Sequence, residues 1–340
     1  MIPRPGRSGA GRVTVDVLQS ALLASNPLGD PASRELAVYL PPSYDTGSTT
    51  YPVLYCLSGF TGSARSWFNF QAWTPSMDER LDRLFSSGVP EMIVVFPDCF
   101  TRYGGSQYLD SPATGNYRSW LLREIVPHVD GRYRTRPGSR HRAVMGKSSG
   151  GFGALSLAMD HPEVFSGVAC HSGDMYFEYA YLPDFPVAAR GLEKAGGLAK
   201  FLENIGTTPL SGKEDHAVIN VVAMSACYSP NPKSAPHLFD LPFDERSGEL
   251  ISSVWDRWLE KDPVRRARTG NHGLKNMGLI YLDCGRRDEF HLNLGARILA
   301  RELARQEVRC VHEEFDGGHS SVQFRYDISL RLLADYLNGD

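Results

Sequence analysis

The segment Gly146–Gly150, with the sequence GKSSG, constrains the fold more than any other part of this chain. It matches the pattern G-x-S-x-G, begins where the apolar run 142–145 ends, and leads into a helical pattern over about 150–160. In that context the pattern predicts a tight strand-to-helix turn that exposes the hydroxyl of Ser148. Glycine is needed because a side chain at either flank would crowd the turn and the helix packed beside it. A Gly/Ser-rich turn without chemistry is the alternative, and the flanking strand and helix argue against it.

Strand and helix patterns alternate along most of the chain, which indicates a mostly parallel sheet. Strands are predicted over 13–17, 36–40, 52–57, 92–96, 142–145, 164–170, 279–283 and 308–312, and helices over about 76–87, 117–131, 150–160, 291–306 and 322–337. Several strands are continuously apolar, so we expect helices on both faces of the sheet. Aromatic, proline-rich and polar stretches interrupt this rhythm after 173. We therefore expect an α/β core formed by 1–173 and 276–340, with 174–275 inserted as a cap.

The composition is that of an ordinary folded protein, with 42% hydrophobic and 22% charged residues. A formal net charge of -3 provides no general attraction to nucleic acid or anionic lipid, so neither partner is expected. No stretch approaches the roughly 20 apolar residues of a spanning helix. Residues 1–12 carry positive charge without the apolar run of a secretory signal. The six cysteines are scattered without a C-x-x-C pair, which favours buried free thiols and a cytoplasmic location.

A serine nucleophile needs a base to take its proton, and His319 has the best context among the ten histidines. It lies in the segment Phe315–Ser321, between the last predicted strand and the last helix. Two glycines before it would let this loop turn sharply and bring the imidazole over Ser148. His171 is the main rival because it directly follows a predicted strand, although a place in the wall of the substrate pocket is favoured over a role as base.

Asp288 has the position expected of the acid that orients the base. It follows the predicted strand 279–283 and precedes the helix that begins near 291. An ordinary helix N-cap is the alternative for an aspartate there, and its position relative to His319 favours the catalytic hypothesis. Asp283 and Glu289 are the fallback candidates.

Two backbone amides are expected to bind the oxyanion that forms on the substrate. Ser149 follows the nucleophile at the helix N-terminus, and Phe60 lies in Leu57–Ser63, the glycine-rich loop after an early strand. Ser149 is also a weaker alternative for the nucleophile, because it is misplaced in the spacing of the motif. Four residues are candidates for the substrate pocket: Gly59, Trp67, His171 and Tyr176. Core packing is the alternative explanation for the aromatic ones.

Together these segments resemble the putative esterase family of α/β hydrolases, which includes esterase D (S-formylglutathione hydrolase), feruloyl esterases, enterochelin esterase-like proteins and mycolyltransferases. The similarity runs from about residue 26 to the C-terminus. It is carried by Tyr39–Tyr44, Tyr51–Tyr55, Leu57–Gly62, Gly146–Gly151, His161–Pro162, Cys284–Phe290 and Gly317–His319. Two features depart from the family pattern: Ser58 stands where many relatives carry histidine, and the cap is larger than in the compact members.

The resemblance implies an α/β-hydrolase fold and a carboxylesterase that cleaves carboxylic, thio- or aromatic esters through an acyl-serine intermediate. It implies a triad of Ser148, Asp288 and His319, with Phe60 and Ser149 at the oxyanion positions. A small-molecule ester is the expected partner, a homodimer is a plausible assembly, and no cofactor is needed. No metal is expected either, because H-E-x-x-H and zinc-ligand spacings are absent from the sequence. An acyltransferase with the same triad is the main alternative; a peptidase or a non-catalytic binding protein of the same fold is less favoured.

Overall fold

The computed structural model describes residues 10–207, 209–210 and 212–339. Residues 1–9 lie outside the described residues; they make up most of the N-terminal segment 1–12, for which no secretory signal is expected. The described strands are β1 (Arg12–Gln19), β2 (Ser33–Leu40), β3 (Val53–Leu57), β4 (Ile93–Pro97), β5 (Asp110–Ser111), β6 (Gly115–Asn116), β7 (Arg142–Lys147), β8 (Gly167–His171), β9 (Leu279–Gly285) and β10 (Val311–Phe315).

Eight strands form one sheet in the order β1-β2-β4-β3-β7-β8-β9-β10, and the short β5 and β6 pair separately. β2 is antiparallel to both of its neighbours, β1 and β4. All later neighbours in the sheet are parallel. The predicted mostly parallel sheet is therefore confirmed. Its parallel strands end at one common edge, so the loops after β3, β7, β8, β9 and β10 meet there.

Twelve α-helices lie between and after these strands in the described chain. They are α1 (Met77–Ser86), α2 (Tyr117–Trp120), α3 (Val126–Arg132), α4 (Ser149–Asp160), α5 (Phe177–Ala180), α6 (Phe185–Ala195), α7 (Leu198–Asn204), α8 (Lys213–Tyr228), α9 (Ser252–Leu259), α10 (Pro263–Arg268), α11 (Leu292–Arg305) and α12 (Tyr326–Asn338). A π-helical turn at Leu121–Ile125 joins α2 to α3. These three pieces form the single helix predicted over 117–131.

Alternate side chains of the central strands pack into two separate hydrophobic clusters. In β3, Val53 and Tyr55 belong to the cluster that contains α2, α3, α4 and α11, whereas Leu54 and Cys56 belong to the cluster that contains α1 and α12. Successive side chains of a strand point to opposite faces of the sheet. The two clusters therefore show that helices cover both faces.

The described chain between β8 and β9 contains α5–α10 and adds no strand to the main sheet. This helical insertion packs directly on the helix that follows Ser148. The Tyr228 ring of α8 lies 5.4 Å from the Phe152 ring of α4 and stacks on Phe177 of α5 at 5.2 Å. The insertion therefore shares its hydrophobic core with one face of the sheet. Its division into a separate cap at 174–275 stays a prediction.

The predicted starts of three strands are wrong by three residues. β2 begins at Ser33 instead of 36. β8 begins at Gly167 instead of 164, and β10 covers Val311–Phe315 instead of 308–312. After α11 the chain first makes a turn at Glu307, where φ is +59°. β10 is an edge strand whose side chains are mostly half-buried, so its position does not require an apolar run. Its register is set by parallel pairing with β9, which a single-sequence pattern does not contain.

All six cysteines are free; five are buried and Cys310 is half-buried. None of the helices within the described ranges has the length and apolar character needed to span a membrane.

Candidate active site

Ser148 occupies the turn between β7 and α4 with φ of +56° and ψ of -126°. This backbone conformation is uncommon for a residue with a side chain. It is held by hydrogen bonding on the sheet side, where the Ser148 amide donates to the His171 carbonyl at 2.9 Å. A Cβ on Gly146 would lie 2.3 Å from the Gly150 carbonyl, and a Cβ on Gly150 would lie 2.1 Å from the Leu57 carbonyl oxygen. Only glycine fits at either position, as the motif predicts.

The structure brings Ser148, His319 and Asp288 into one hydrogen-bonded chain. Nε2 of His319 lies 3.0 Å from Oγ of Ser148, and Nδ1 lies 2.8 Å from Oδ2 of Asp288. The three residues come from the loops that follow β7, β10 and β9. Distant segments of the sequence therefore meet at the carboxyl edge of the sheet with the geometry of a nucleophile, a base and an orienting acid.

The charge on Asp288 fixes the roles of the two imidazole nitrogens. Burial raises the pKa of Asp288, but hydrogen bonds from the His319 ring and the Phe290 amide outweigh this effect and hold the pKa below its usual value. An ionised carboxylate accepts a hydrogen bond from Nδ1–H. Nε2 is then the lone-pair nitrogen that can accept the proton of the Ser148 hydroxyl.

The loop that carries His319 is anchored close to β9. The His319 amide donates to Oε2 of Glu289 at 2.7 Å, and the Phe290 ring and the imidazole form a T-shaped contact with centroids 4.8 Å apart. A Cβ on Gly285 would lie 2.4 Å from the Gly317 carbonyl oxygen, so the close passage of the loop requires glycine there. Glu289, one of the fallback acids, thus holds the backbone of the loop and does not contact the ring nitrogens.

The other fallback acid, Asp283, pairs with His171 in a separate buried network. Nδ1 of His171 lies 2.7 Å from Oδ1 of Asp283, and its Nε2 lies 2.9 Å from the Ser329 hydroxyl. Nε of Arg325 donates to Oδ2 of Asp283 at 2.9 Å. The His171 side chain is fully buried beneath α12, because its strand position points it into the sheet–helix interface. The structure therefore contradicts the expected place of His171 in the pocket wall.

A cavity of about 260 Å³ opens beside Ser148 and His319. Gly59, Phe60 and Ser149 line it as expected. A Cβ on Gly59 would lie 3.5 Å from the Ser148 Cβ, so this glycine lets the loop approach the nucleophile. In the described chain, the amides of Phe60 and Ser149 donate no backbone hydrogen bond outside regular secondary structure. They are therefore available to bind an oxyanion, and this role stays a prediction.

The helical insertion supplies much of the cavity wall, and sequence reasoning missed its residues. They are Asp174, Ala180, Tyr181, His216 and Asn220, joined by Phe290, Leu292 and Ser320 from the core. One signal could have found Asp174: it follows β8 within three residues, at the same sheet edge as the nucleophile. No comparable local pattern marks His216 or Asn220, which lie in the first half of a regular helix.

Two aromatic candidates for the pocket lie elsewhere. Trp67 lines a neighbouring cavity, where its indole N–H donates to the Ser58 hydroxyl at 2.9 Å. Tyr176 does not line the cavity beside Ser148; its amide donates to Asp262 at 3.1 Å and its ring packs on Tyr179 at 4.7 Å. Both rings satisfy local packing, which is the alternative that the sequence left open. Of the four expected pocket residues, only Gly59 lines the cavity that contains Ser148.

Asp174 is a buried carboxyl group in this cavity wall. Its Oδ2 accepts hydrogen bonds from the hydroxyls of Tyr181 at 2.9 Å and Ser149 at 3.2 Å and from Nε2 of Gln107 at 3.3 Å. Burial raises the pKa of Asp174 more than these donors lower it. Because the Ser149 hydroxyl is committed to Asp174 and not to His319, the geometry favours Ser148 as the nucleophile.

No group of three or more histidine, cysteine, aspartate or glutamate side chains in the described residues is arranged to hold a metal ion. The sheet order and the chain order serine, acid, histidine around the carboxyl edge are those of an α/β hydrolase. Residues 31–333 match the model of the family described as "Putative esterase". The chain belongs to this family, and the resemblance drawn from the sequence is confirmed.

Curated relatives match part of the chain. The esterases MT1326 and Rv1288 of Mycobacterium tuberculosis are each 31% identical over 141 residues, which is 40% of this chain and 28% of theirs. The uncharacterized protein YbbA of Bacillus subtilis is 25% identical over 161 residues, covering 44% of this chain and 60% of YbbA. The match therefore spans less than a third of the length of the two esterases.

Solved structures match nearly the whole chain. A ferulic acid esterase is 22% identical with a TM-score of 0.62, covering 97% of this chain and 99% of its own. An S-formylglutathione hydrolase from Agrobacterium tumefaciens is 17% identical with a TM-score of 0.59 and 99% coverage of both chains. These similarities confirm the predicted α/β-hydrolase fold.

Proposed function

We propose that the protein is a serine carboxylesterase that hydrolyses carboxylic esters through an acyl-serine intermediate. The observation that carries the proposal is the continuous hydrogen-bonded chain from the Ser148 hydroxyl through His319 to Asp288. Membership of an esterase family and partial identity to two esterases support it. A small-molecule ester fits a cavity of about 260 Å³ with mixed polar and apolar walls.

The acylation step uses each of these groups. His319 takes the proton of Ser148 at Nε2 while the serine oxygen attacks the ester carbonyl. The negative charge that develops on the carbonyl oxygen is bound by the amides of Phe60 and Ser149. Asp288 stabilises the imidazolium that forms, because its carboxylate lies against Nδ1. His319 then returns the proton to the departing alcohol and leaves an acyl group on Ser148.

Water completes the cycle by the same route. His319 deprotonates the water, the resulting oxygen attacks the acyl-serine, and the carboxylic acid leaves as Ser148 regains its proton. If an alcohol replaced water, the same residues would catalyse acyl transfer. We propose water as the acceptor; product analysis with an added alcohol tests it, and a new ester as the main product at millimolar alcohol would contradict it.

The central test is the variant Ser148→Ala. Hydrolysis of p-nitrophenyl butyrate should fall by several orders of magnitude, because removal of the nucleophile of a triad leaves only residual catalysis by the surrounding site. A fluorophosphonate should label the wild type at Ser148 and leave this variant unlabelled.

Ser149→Ala provides the matched comparison. It keeps the backbone amide, so it should lose far less activity than Ser148→Ala and should still be labelled. Labelling that disappears in Ser149→Ala and persists in Ser148→Ala would contradict the nucleophile assignment. The preferred acyl group is then found by comparing p-nitrophenyl esters of graded length with feruloyl esters and S-formylglutathione.

A further inference from the structure

The cavity beside Ser148 contains a carboxyl group for which the proposed acyl-transfer chemistry has no use. Asp174 is 7% exposed, yet it belongs to the cavity wall. A carboxylate is costly to bury, and buried polar groups are almost always paired. Its presence in a cavity that must hold an ester therefore needs an explanation.

The two oxygens of this carboxyl group are used unequally. All three of its hydrogen bonds, from Tyr181, Ser149 and Gln107, end on Oδ2. Within the part of the chain that the structure describes, Oδ1 accepts none. A carboxylate that served only to fix its neighbours would be expected to pair both oxygens. Oδ1 is the atom left to meet a group that enters the cavity.

The donors on Oδ2 also hold the carboxyl group in one orientation. Tyr181 comes from the helical insertion, Ser149 from the nucleophile turn, and Gln107 from the loop after β4. Three elements of the fold thus fix one side chain, as expected of a recognition group whose geometry is set before the ligand binds.

The charged side chains of the cavity wall favour some hydrogen-bond donors on the substrate over others. Lys147 lines the same cavity, where burial lowers its pKa and the carboxylates of Asp288 and Asp174 favour its charged form. An ammonium group on the substrate would be drawn to Asp174 and repelled by Lys147, whereas a hydroxyl donates to Oδ1 without this penalty. The opposite charges therefore favour a neutral donor.

We infer that Asp174 is a specificity-determining residue that accepts a hydrogen bond at Oδ1 from a hydroxyl group of the substrate, so that hydroxylated esters are the preferred substrates. This inference rests on the proposed esterase function. The hydroxyl is carried either by the acyl group or by the alcohol of the ester, and the two sources are distinguished by matched substrate pairs.

The experiment compares kcat/KM within three such pairs, two for the acyl group and one for the alcohol. For the acyl group the pairs are p-nitrophenyl 2- or 3-hydroxybutyrate against p-nitrophenyl butyrate; for the alcohol the pair is ethylene glycol monobutyrate against propyl butyrate. In the wild type one hydroxylated member should be preferred about 10- to 100-fold, the effect of a hydrogen bond to a charged group. Asp174→Ala should reduce this ratio to near one. Asp174→Asn, which keeps the shape of the side chain, should give an intermediate ratio and covers the case that the alanine variant does not fold.

The ratio is an internal control, because partial unfolding lowers both members of a pair equally. Asp240→Asn is the matched variant: it neutralises a carboxyl group of the same insertion that does not line the cavity. It should keep the wild-type ratio. A wild-type ratio near one in all three pairs, a ratio unchanged by Asp174→Ala, or a stronger preference for p-nitrophenyl 3-aminobutyrate would overturn the inference. Ser148-dependent hydrolysis of plain butyrates would still support the esterase function, whereas its absence would remove the esterase function itself.

Discussion

Two aspartates, one in β9 and one in the loop that follows it, lie five residues apart in the sequence, and each pairs with a histidine. We expect mutation of the two aspartates to have different effects. Asp288 contacts His319 at 2.8 Å beside the nucleophile, and Asp283 contacts His171 at 2.7 Å under α12. The perturbation is the same isosteric change, Asp to Asn, at each position. Asp288→Asn should impair turnover, and Asp283→Asn should impair stability.

The cost at Asp288 follows from the imidazole tautomer. An asparagine amide facing Nδ1 favours the form that carries its proton on Nε2, and that nitrogen can no longer accept the proton of Ser148. Turnover should fall about 10⁴-fold, or about 5.4 kcal/mol in activation free energy. Because the new asparagine side chain would keep Oδ1 as an acceptor for the Phe290 amide, the fold should be retained.

The cost at Asp283 follows from its buried ionic partner. Asp283 is 2% exposed and its Oδ2 lies 2.9 Å from Nε of Arg325, which is itself 9% exposed. Breaking a buried ion pair costs about 3–5 kcal/mol. We expect the lower end of this range, since Arg325 also donates to Glu313. The folded variant should keep most of its turnover, because neither Asp283 nor His171 lines the catalytic cavity.

The assay combines kcat for p-nitrophenyl butyrate with urea unfolding of the same preparations. Asp288→Asn should unfold near the wild-type midpoint and turn over very slowly, while Asp283→Asn should unfold at clearly lower urea and turn over well at about 20 °C or below, where the folded state still dominates. Near-normal turnover of Asp288→Asn, or a loss in Asp283→Asn equal to that of Asp288→Asn without loss of stability, would refute the assignment of the two pairs.

Two further predictions concern the turn and the buried network. Gly150→Ala should destabilise the protein by about 3 kcal/mol and reduce turnover, because the new Cβ would meet the Leu57 carbonyl oxygen at 2.1 Å. Urea unfolding checks this prediction, with Gly131→Ala as the control variant because its new Cβ would have open space. Equal urea midpoints for the two variants would contradict it. Burial raises the pKa of Asp283, but His171 and Arg325 together lower it by more than burial raises it, so the pKa in the folded state is below the usual aspartate value. Its stabilisation is present above the usual aspartate pKa and is lost as the pH falls through the folded value. The stability difference between wild type and Asp283→Asn should therefore shrink below about pH 4 in unfolding curves, and a constant difference down to about pH 3 would count against it.

The sequence by itself determined the elements whose signals are local. The glycines of Gly146–Gly150 specify the nucleophile turn because no other residue fits there, and the apolar runs specify buried strands. The order of Ser148, Asp288 and His319 relative to the strands was also readable, because parallel strands end at one edge of the sheet. The fold and the proximity of these three residues were predicted on that basis.

Only the tertiary structure decided which side chains face the cavity. His171 and Asp174 both follow the β8 pattern closely, yet His171 turns under α12 and Asp174 turns into the cavity wall. His216 and Asn220 line the cavity from α8, whose Tyr228 ring packs on Phe152 of the nucleophile helix, and the start of β10 depends on its pairing with β9. The physical reason is that hydrophobic periodicity records burial, whereas a cavity wall and a strand register depend on contacts between segments far apart in the chain.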